Sequence, residues 1–462
     1  MIIEYKDDSG YVRAVRGGGT TSIPLVFSNS IGINNTVKIT DMSGLLPTTG
    51  GVVAVKAWGD SGKVILESST ATPLKLNNYG TTLISGADLA KWFPDAKFYD
   101  FIVDSSKMLI TNVKNSFDGT NIPISYSRGM NNFVSNSIGS RNTIKITDMS
   151  GSLPASGATI SVRAWDIDGL ELTKSWTAPK LYNHGTTGIA GSTLLSVYPK
   201  AMTFEFSITS SKALITNVKN SSDGSTNIPS TYAIGLSNYV SNSTGANNTL
   251  YISDLSGSLS ATGVAIGINI WDANGNQLYN ILSANPFKLH NHGTTTISGS
   301  ELAALCPYGS PMTYEFSIPS SKILITNVKH STDGTINIPS VYTSGTTMFA
   351  TNFVNPLNTI IKISDMSGTL PPGDTSQFSV KAWDAFGKAI PESGSAPSLL
   401  VYSHGTVTIS GSALENIFPG GVPALYEFSN ISSSELVTNI TMSDQTFVKV
   451  PTIFTTGASG GM

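Results

Sequence analysis

The sequence predicts an all-β fold: four tandem β-sandwich domains, each with one short helix. Three observations predict it. First, one pattern is written four times in the 462 residues: SNSIG, TVKITDMSG, an AW-D turn, HGTT, GS-x-L before a proline, YEF, LITNVKNSxDG and NIP. Asp41, Asp148, Asp254 and Asp365 mark the same point in each copy, 107, 106 and 111 residues apart. That period is the size of a domain, and each copy is long enough to bury its own core. Second, apolar residues alternate with period two, as half-buried strands require. Third, turn clusters punctuate the runs at intervals of roughly 8–12 residues.

Copy two shows the elements in order. Residues 143–147 (TIKIT) and 159–165 (TISVRAW) alternate apolar with polar. Residues 166–169 (DIDG) form a turn cluster, matched by GDSG, DANG and DAFG elsewhere. Residues 203–208 (TFEFSI) and 213–219 (ALITNVK) are further strands, followed by a turn at Asp223-Gly224. A last extended stretch covers 227–230, and Pro229 confines it to an edge or a crossover. One short helix follows Gly191-Ser192 and stops at Pro199, with the Ser192 hydroxyl placed to cap it. The other copies place this helix at 86–94, 299–307 and 411–419. About seven short strands per copy give an Ig-like sandwich, with a small barrel as the competing closure. The domain limits are 24–128, 129–234, 235–344 and 345–462, the last with a glycine-rich tail. Residues 1–23 precede them as a separate strand segment. As independent beads on short linkers, the copies are expected to form a rod.

One strand carries an aromatic-carboxylate-aromatic triplet: Tyr99-Asp100-Phe101, Phe204-Glu205-Phe206, Tyr314-Glu315-Phe316 and Tyr426-Glu427-Phe428. Alternation puts both rings on one face and the carboxylate on the other. The strand before the AW turn offers Lys56, Arg163, Asn269 or Lys381. This predicts a cross-strand surface pair worth about 0.2–1 kcal/mol.

Charged residues make up only 12% of the chain and the net charge is −3, which argues against nucleic-acid binding and against a polybasic membrane anchor. The polar surface must come from Ser, Thr, Asn and Gly, a composition suited to secreted and surface-exposed β-proteins. Cys306 is the single cysteine, so no disulfide forms within the chain. It lies in the apolar segment LAALCP and reads as a small buried hydrophobe. No apolar run reaches the roughly 18 residues of a membrane span. The segment MIIEYKDDSG lacks the basic and apolar regions of a secretory leader.

Comparison between the copies separates candidate chemistry from packing. His184, His292 and His404 share one position, where copy one has Tyr79. That exchange favours a packed or turn-capping ring over a metal ligand. Asp272 to Asn276 (DANGN) has some likeness to a calcium loop, but its glycine is misplaced and the distal glutamate is missing. Trp58, Trp165, Trp271 and Trp383 recur in every copy and read as core or rim residues. Trp92 and Trp176 do not recur and are the better candidates for exposed contacts. No nucleophile, base and orienting group come together, so no catalytic, cofactor or metal residue is assigned and no enzyme is expected.

The strand and turn TISVRAWDIDG (159–169) followed by ALITNVKNSSDG (213–224), with counterparts in the other copies, resembles Ig-like tandem repeats of secreted bacterial surface and filament proteins. The likeness covers nearly the whole chain. It implies an extracellular spacer, adhesive or filament role and carries over no active site.

The first ten residues can be laid on the LITNVKNSSDG region, which puts Tyr11 to Val15 in a final-strand position. Two strands without a sheet are marginal in water and should find a partner. Ile2, Ile3, Tyr5, Tyr11, Val12 and Val15 are therefore the candidate assembly residues. The expected function is a structural subunit of an extracellular filament or cell-surface fibre, a homopolymer assembled head to tail through terminal strands, with no cofactor. The alternatives are a carbohydrate-binding adhesin with a glycan or surface ligand, and a virion fibre or tail component.

Overall fold

The computed structural model describes residues 31–66, 74–103, 109–115, 132–136, 138–210, 214–220, 238–241, 245–278, 287–321, 323–330, 348–352, 359–365, 376–394, 399–430 and 436–442. It also describes short stretches, among them 5–6, 12–13, 25–28, 226–227, 232–234, 336–337, 342–343 and 453–454. The protein is all-β, with small antiparallel sheets and, among the described residues, four short helices.

In copy one, Asn35–Asp41 pairs with Thr81–Ser85 on one side and Leu109–Asn115 on the other. The second sheet runs in the order Leu25–Ser28, Phe98–Val103, Gly51–Trp58, Val64–Ile65. The other copies repeat this plan around Asn142–Asp148, Asn248–Asp254 and Thr359–Asp365 in the first sheet. Thr203–Ser207, Thr313–Ser317 and Leu425–Ser429 are the matching strands of the second. Each copy encloses its own cluster of buried side chains, with Ile39 and Phe101 in the first and Ile363 and Phe428 in the last. The paired rings of the triplet strand point into these cores, Tyr99 stacked on Phe101 and Tyr314 on Phe316.

The expected cross-strand ion pair is present in copies two and four. Lys56, Arg163, Asn269 and Lys381 stand opposite the four carboxylates in register. Arg163 lies 3.6 Å from Glu205 and Lys381 3.7 Å from Glu427, while Asn269 Nδ2 donates to Glu315 at 3.1 Å. Arg163 makes a closer, two-pronged contact with Glu171 at 2.9 and 3.0 Å. That hydrogen bond holds the Glu171 carboxyl below its usual range. Lys381→Ala is expected to cost under about 1 kcal/mol in a urea melt, because the ammonium is well exposed. Cys306 is buried among Leu302, Tyr314 and Ile318, and burial pushes its thiol up.

Three local expectations need correction. Residues 159–165 are not one strand: Ala158–Thr159 pairs with Lys180–Leu181, whereas Ser161–Trp165 pairs with Thr203–Ser207. The chain changes sheet at Ile160, whose side chain is fully buried and whose amide donates to Pro179 O at 3.1 Å. Ser192 lies inside its helix, Gly191–Val197, and Ala190 holds the cap position without a side-chain bond. The helix starts two residues earlier, at Gly191, which sits against Gly139 O where a Cβ would come within 2.0 Å. In the other copies Ser85, Ser298 and Ser410 are the caps, and Ser298 forms a reciprocal capping box with Glu301. Ser298→Ala is expected to lower stability by about 1 kcal/mol, read from the urea midpoint. Finally, Thr186–Ala190 and Asn132–Ser135 are strands that the alternation did not reveal. The stretch TTGIA carries only one large apolar residue, Ile189, so it shows no period.

Among the described residues, the outer edge of the first sheet joins one copy to another in copies one, three and four. Tyr232–Ile234 follows the second NIP segment but pairs with Ile323–His330 of copy three, Tyr232 opposite Ile325. Tyr342–Thr343 enters copy four in the same way, Tyr342 opposite Val437. Copy one receives its edge strand from the other end of the chain: Ile453–Phe454 pairs with Leu109–Asn115, Phe454 opposite Ile110. Tyr232, Tyr342 and Phe454 are equivalent in sequence and in register. Copy four thus completes copy one, and the expected rod is instead a closed ring.

Of the candidate assembly residues, Tyr5 and Val12 lie on two-residue strands, Tyr5–Lys6 and Val12–Arg13, that pair with each other. Ile2, Ile3, Tyr11 and Val15 lie outside the described residues, as do Pro229 and the glycine run 17–19.

Candidate functional site: the junction between copies

The ring is held at four equivalent junctions, each built from one loop of one copy and one turn of the next. The loop is the HGT segment. Tyr79, His184, His292 and His404 adopt left-handed backbone angles, with φ of 55°, 54°, 53° and 56°. Such angles are costly for a side chain with a Cβ and need support from the surroundings.

The support comes from the recurring aspartate. Asp254 is fully buried; its Oδ1 accepts from Ser256 Oγ at 2.6 Å and Ser321 Oγ at 2.5 Å, and its Oδ2 from the His292 amide at 3.3 Å. Asp365 is held in the same way by Ser367, Ser433 and the His404 amide. Asp41 accepts from Ser43, Ser106 and the Tyr79 amide, and Asp148 from Ser150 and the His184 amide. The carboxylate is a turn clamp: it satisfies the amide that the left-handed residue exposes.

The loop so shaped presents its backbone to the neighbour. The amides of Thr81, Thr186, Thr294 and Thr406 donate to Ile167 O, Ala273 O, Ala385 O and Asp60 O at 2.9–3.0 Å. The first three acceptors belong to copies two, three and four; the last belongs to copy one. Two glycines per junction allow the approach. A Cβ on Gly62, Gly169, Gly275 or Gly387 would fall 1.7–1.9 Å from the facing carbonyl oxygen, and all four have positive φ. The glycine after each histidine or tyrosine is nearly as confined, 2.7 Å from Ala273 O at Gly185.

Side chains complete the contact. Tyr79 stacks on Trp165, His184 on Trp271 and His292 on Trp383, with centroids 5.0–5.4 Å apart and rings within 9–13° of parallel. His404 meets Trp58 at 5.3 Å but is tilted by 35°. The recurring histidines and tryptophans are thus partners of one another, each pair bridging two copies. Threonines link the same surfaces: Thr186 Oγ1 lies 2.8 Å from both Thr147 Oγ1 and Thr313 Oγ1. This cover explains why Ile39, Thr40 and Asp41 are buried in succession, where strict alternation would leave Thr40 outside.

The junction of copy four with copy one differs in composition. Lys97 stands where the others have Met202, Met312 and Ala424, and Asp60 where they have Ile167, Ala273 and Ala385. Phe98 replaces the threonine that meets the neighbour's hydroxyl at Thr203 and Thr313. Half-buried Lys362 faces this rim, and burial together with Lys97 pushes its ammonium below the usual range, while Asp60 pulls the other way.

The remaining candidates have local roles. Asp272 Oδ1 accepts from the amides of Asn274 and Asn276 at 2.9 Å, so the DANGN loop closes on its own carboxylate. Among the described residues no group of three His, Cys, Asp or Glu side chains is placed to hold a metal. The four recurring tryptophans are 1–8% exposed, and Trp92 and Trp176 are half-buried against their cores, not the exposed contacts expected. No helix of the described residues is long and apolar enough to cross a membrane.

No family model matches the chain, and no curated protein matches it. Among solved structures, a "Biofilm associated protein - BSP domain" is 8% identical, covering 97% of this chain and 100% of that one, at a TM-score of 0.15. A similarity at that level carries no argument about fold or function.

Proposed function

We propose that the chain is a structural, cohesive protein: the subunit of an extracellular filament or surface fibre, composed of four Ig-like sandwich domains. Within a copy, the second strand pairs with the sixth (Asn35–Asp41 with Thr81–Ser85) and the third with the seventh (Gly51–Trp58 with Phe98–Val103). Both pairings are those an Ig-like sandwich makes in its two sheets, which supports that reading, although the first and last strands here sit in the opposite sheets. The observation that carries the functional reading is the junction itself. The buried aspartate, the histidine or tyrosine, the tryptophan and two glycines recur in every copy, and all of them serve to hold copy to copy. Recurring residues that are used in contacts between copies support a building role. Self-association is the expected partnership, and the Ser-, Thr- and Asn-rich surface suits an extracellular setting.

Electron microscopy of the purified full chain tests this reading. Filaments or fibres are the expected result. Dispersed particles together with binding on a glycan array would replace it by the adhesin, and co-purification with virus particles by the virion component.

A further inference from the structure

Copies four and one are not consecutive in the chain, so their junction is held by no linker. It is also the junction with the tilted ring pair and with charged residues at Lys97 and Asp60, where the other three have Met or Ala and Ile or Ala. Yet it uses the same backbone bonds as the linked junctions and the same strand register as the two that enter copies three and four. We propose that this junction is an exchangeable self-association surface: copy four with its strand Ile453–Phe454 leaves copy one of its own chain and docks on copy one of a second copy of this chain.

The geometry of both products follows from one interface. A heterologous contact closes a ring when donor and acceptor belong to one chain, and gives dimeric rings or an open polymer when they do not. Every hydrogen bond of the closed state has its counterpart in the exchanged state, so the two differ mainly in effective concentration. Tethered ends favour the closed ring in dilute solution, and chain-to-chain docking gains as the protein approaches about millimolar concentration. Lys97 and Lys362 repel at this one seam, with Asp60 offsetting part of it, and the linked three carry Met or Ala in place of Lys97. The proposal rests on the structural reading above and supplies its joining step.

The test is subunit exchange between intact chains. Two populations carrying Ala155→Cys, labelled with donor and acceptor dyes, are mixed at high concentration and followed by energy transfer and light scattering. Ala155 is exposed in copy two, and the native thiol, Cys306, is buried. The wild type is expected to develop energy transfer and species of twice the chain mass or more. Lys97→Met, which installs the residue of copies two and three, is expected to slow exchange by about threefold with an unchanged melting curve. Wild-type chains that show no energy transfer, or exchange that Lys97→Met leaves unaltered, overturn the proposal. Filaments seen in the microscope without exchange would leave the structural reading standing while removing this joining step.

Discussion

Asp254→Ala is expected to destabilise the protein by about 3 kcal/mol, the largest effect of any single polar substitution in copy three. The carboxylate is fully buried and satisfies two serine hydroxyls and the His292 amide. Removing it takes a buried acceptor from each of these donors, at about 1–3 kcal/mol for each one that finds no replacement. Ser256 also lies 2.6 Å from Ser258 Oγ and can turn toward it, so its share is small. The remaining cost falls on Ser321 and on the left-handed turn at His292. Asp254→Asn keeps one oxygen acceptor and is expected to lose about half as much. Urea unfolding followed by circular dichroism reads both. A loss under about 1 kcal/mol for the alanine variant would show that the turn holds itself and that the clamp is incidental.

Gly275→Val is expected to open the junction between copies two and three. The glycine has φ of +82°, and a Cβ there would lie 1.8 Å from Asn183 O. A branched side chain meets both a disallowed backbone angle and a carbonyl that cannot retreat without breaking the bond from Thr186 N to Ala273 O. The loss should reach about 3–5 kcal/mol at that contact, while the two cores are untouched. Small-angle scattering should therefore show a longer particle with unchanged strand content. Gly245→Ala provides the control, since a Cβ there meets nothing within 4 Å. An unchanged scattering profile for Gly275→Val would mean that the junction does not close in solution.

The sequence displayed the copies and most strands because both are written in residue types. Four aspartates at one spacing and the alternation of TIKIT need no tertiary knowledge. The Lys381–Glu427 pairing was readable for the same reason: strand alternation fixes which residues share a face. The ring was not readable. Its junctions rest on backbone amides and carbonyls, such as Thr294 N on Ala385 O, and such bonds leave no preference for the residues that make them. What did leave a trace was the last glycine of the turns GDSG, DIDG, DANG and DAFG and the glycine after Tyr79, His184, His292 and His404, both confined by a neighbouring copy. Tyr79 in place of histidine points away from a metal ligand and toward a packed ring, and the partner of that ring is what the sequence leaves unsaid. Stacking on a tryptophan is a role that tyrosine and histidine fill equally well.

The equivalence of the four junctions also fixes a number. If each seam turns one copy on the next by the same amount, four steps return to the start only when each step is about a quarter turn. The count of copies is then set by an angle. A gene duplication that added a fifth would carry the chain past its own beginning. The circle would become a helical ramp, and Ile453–Phe454 would meet open solvent where copy one now waits.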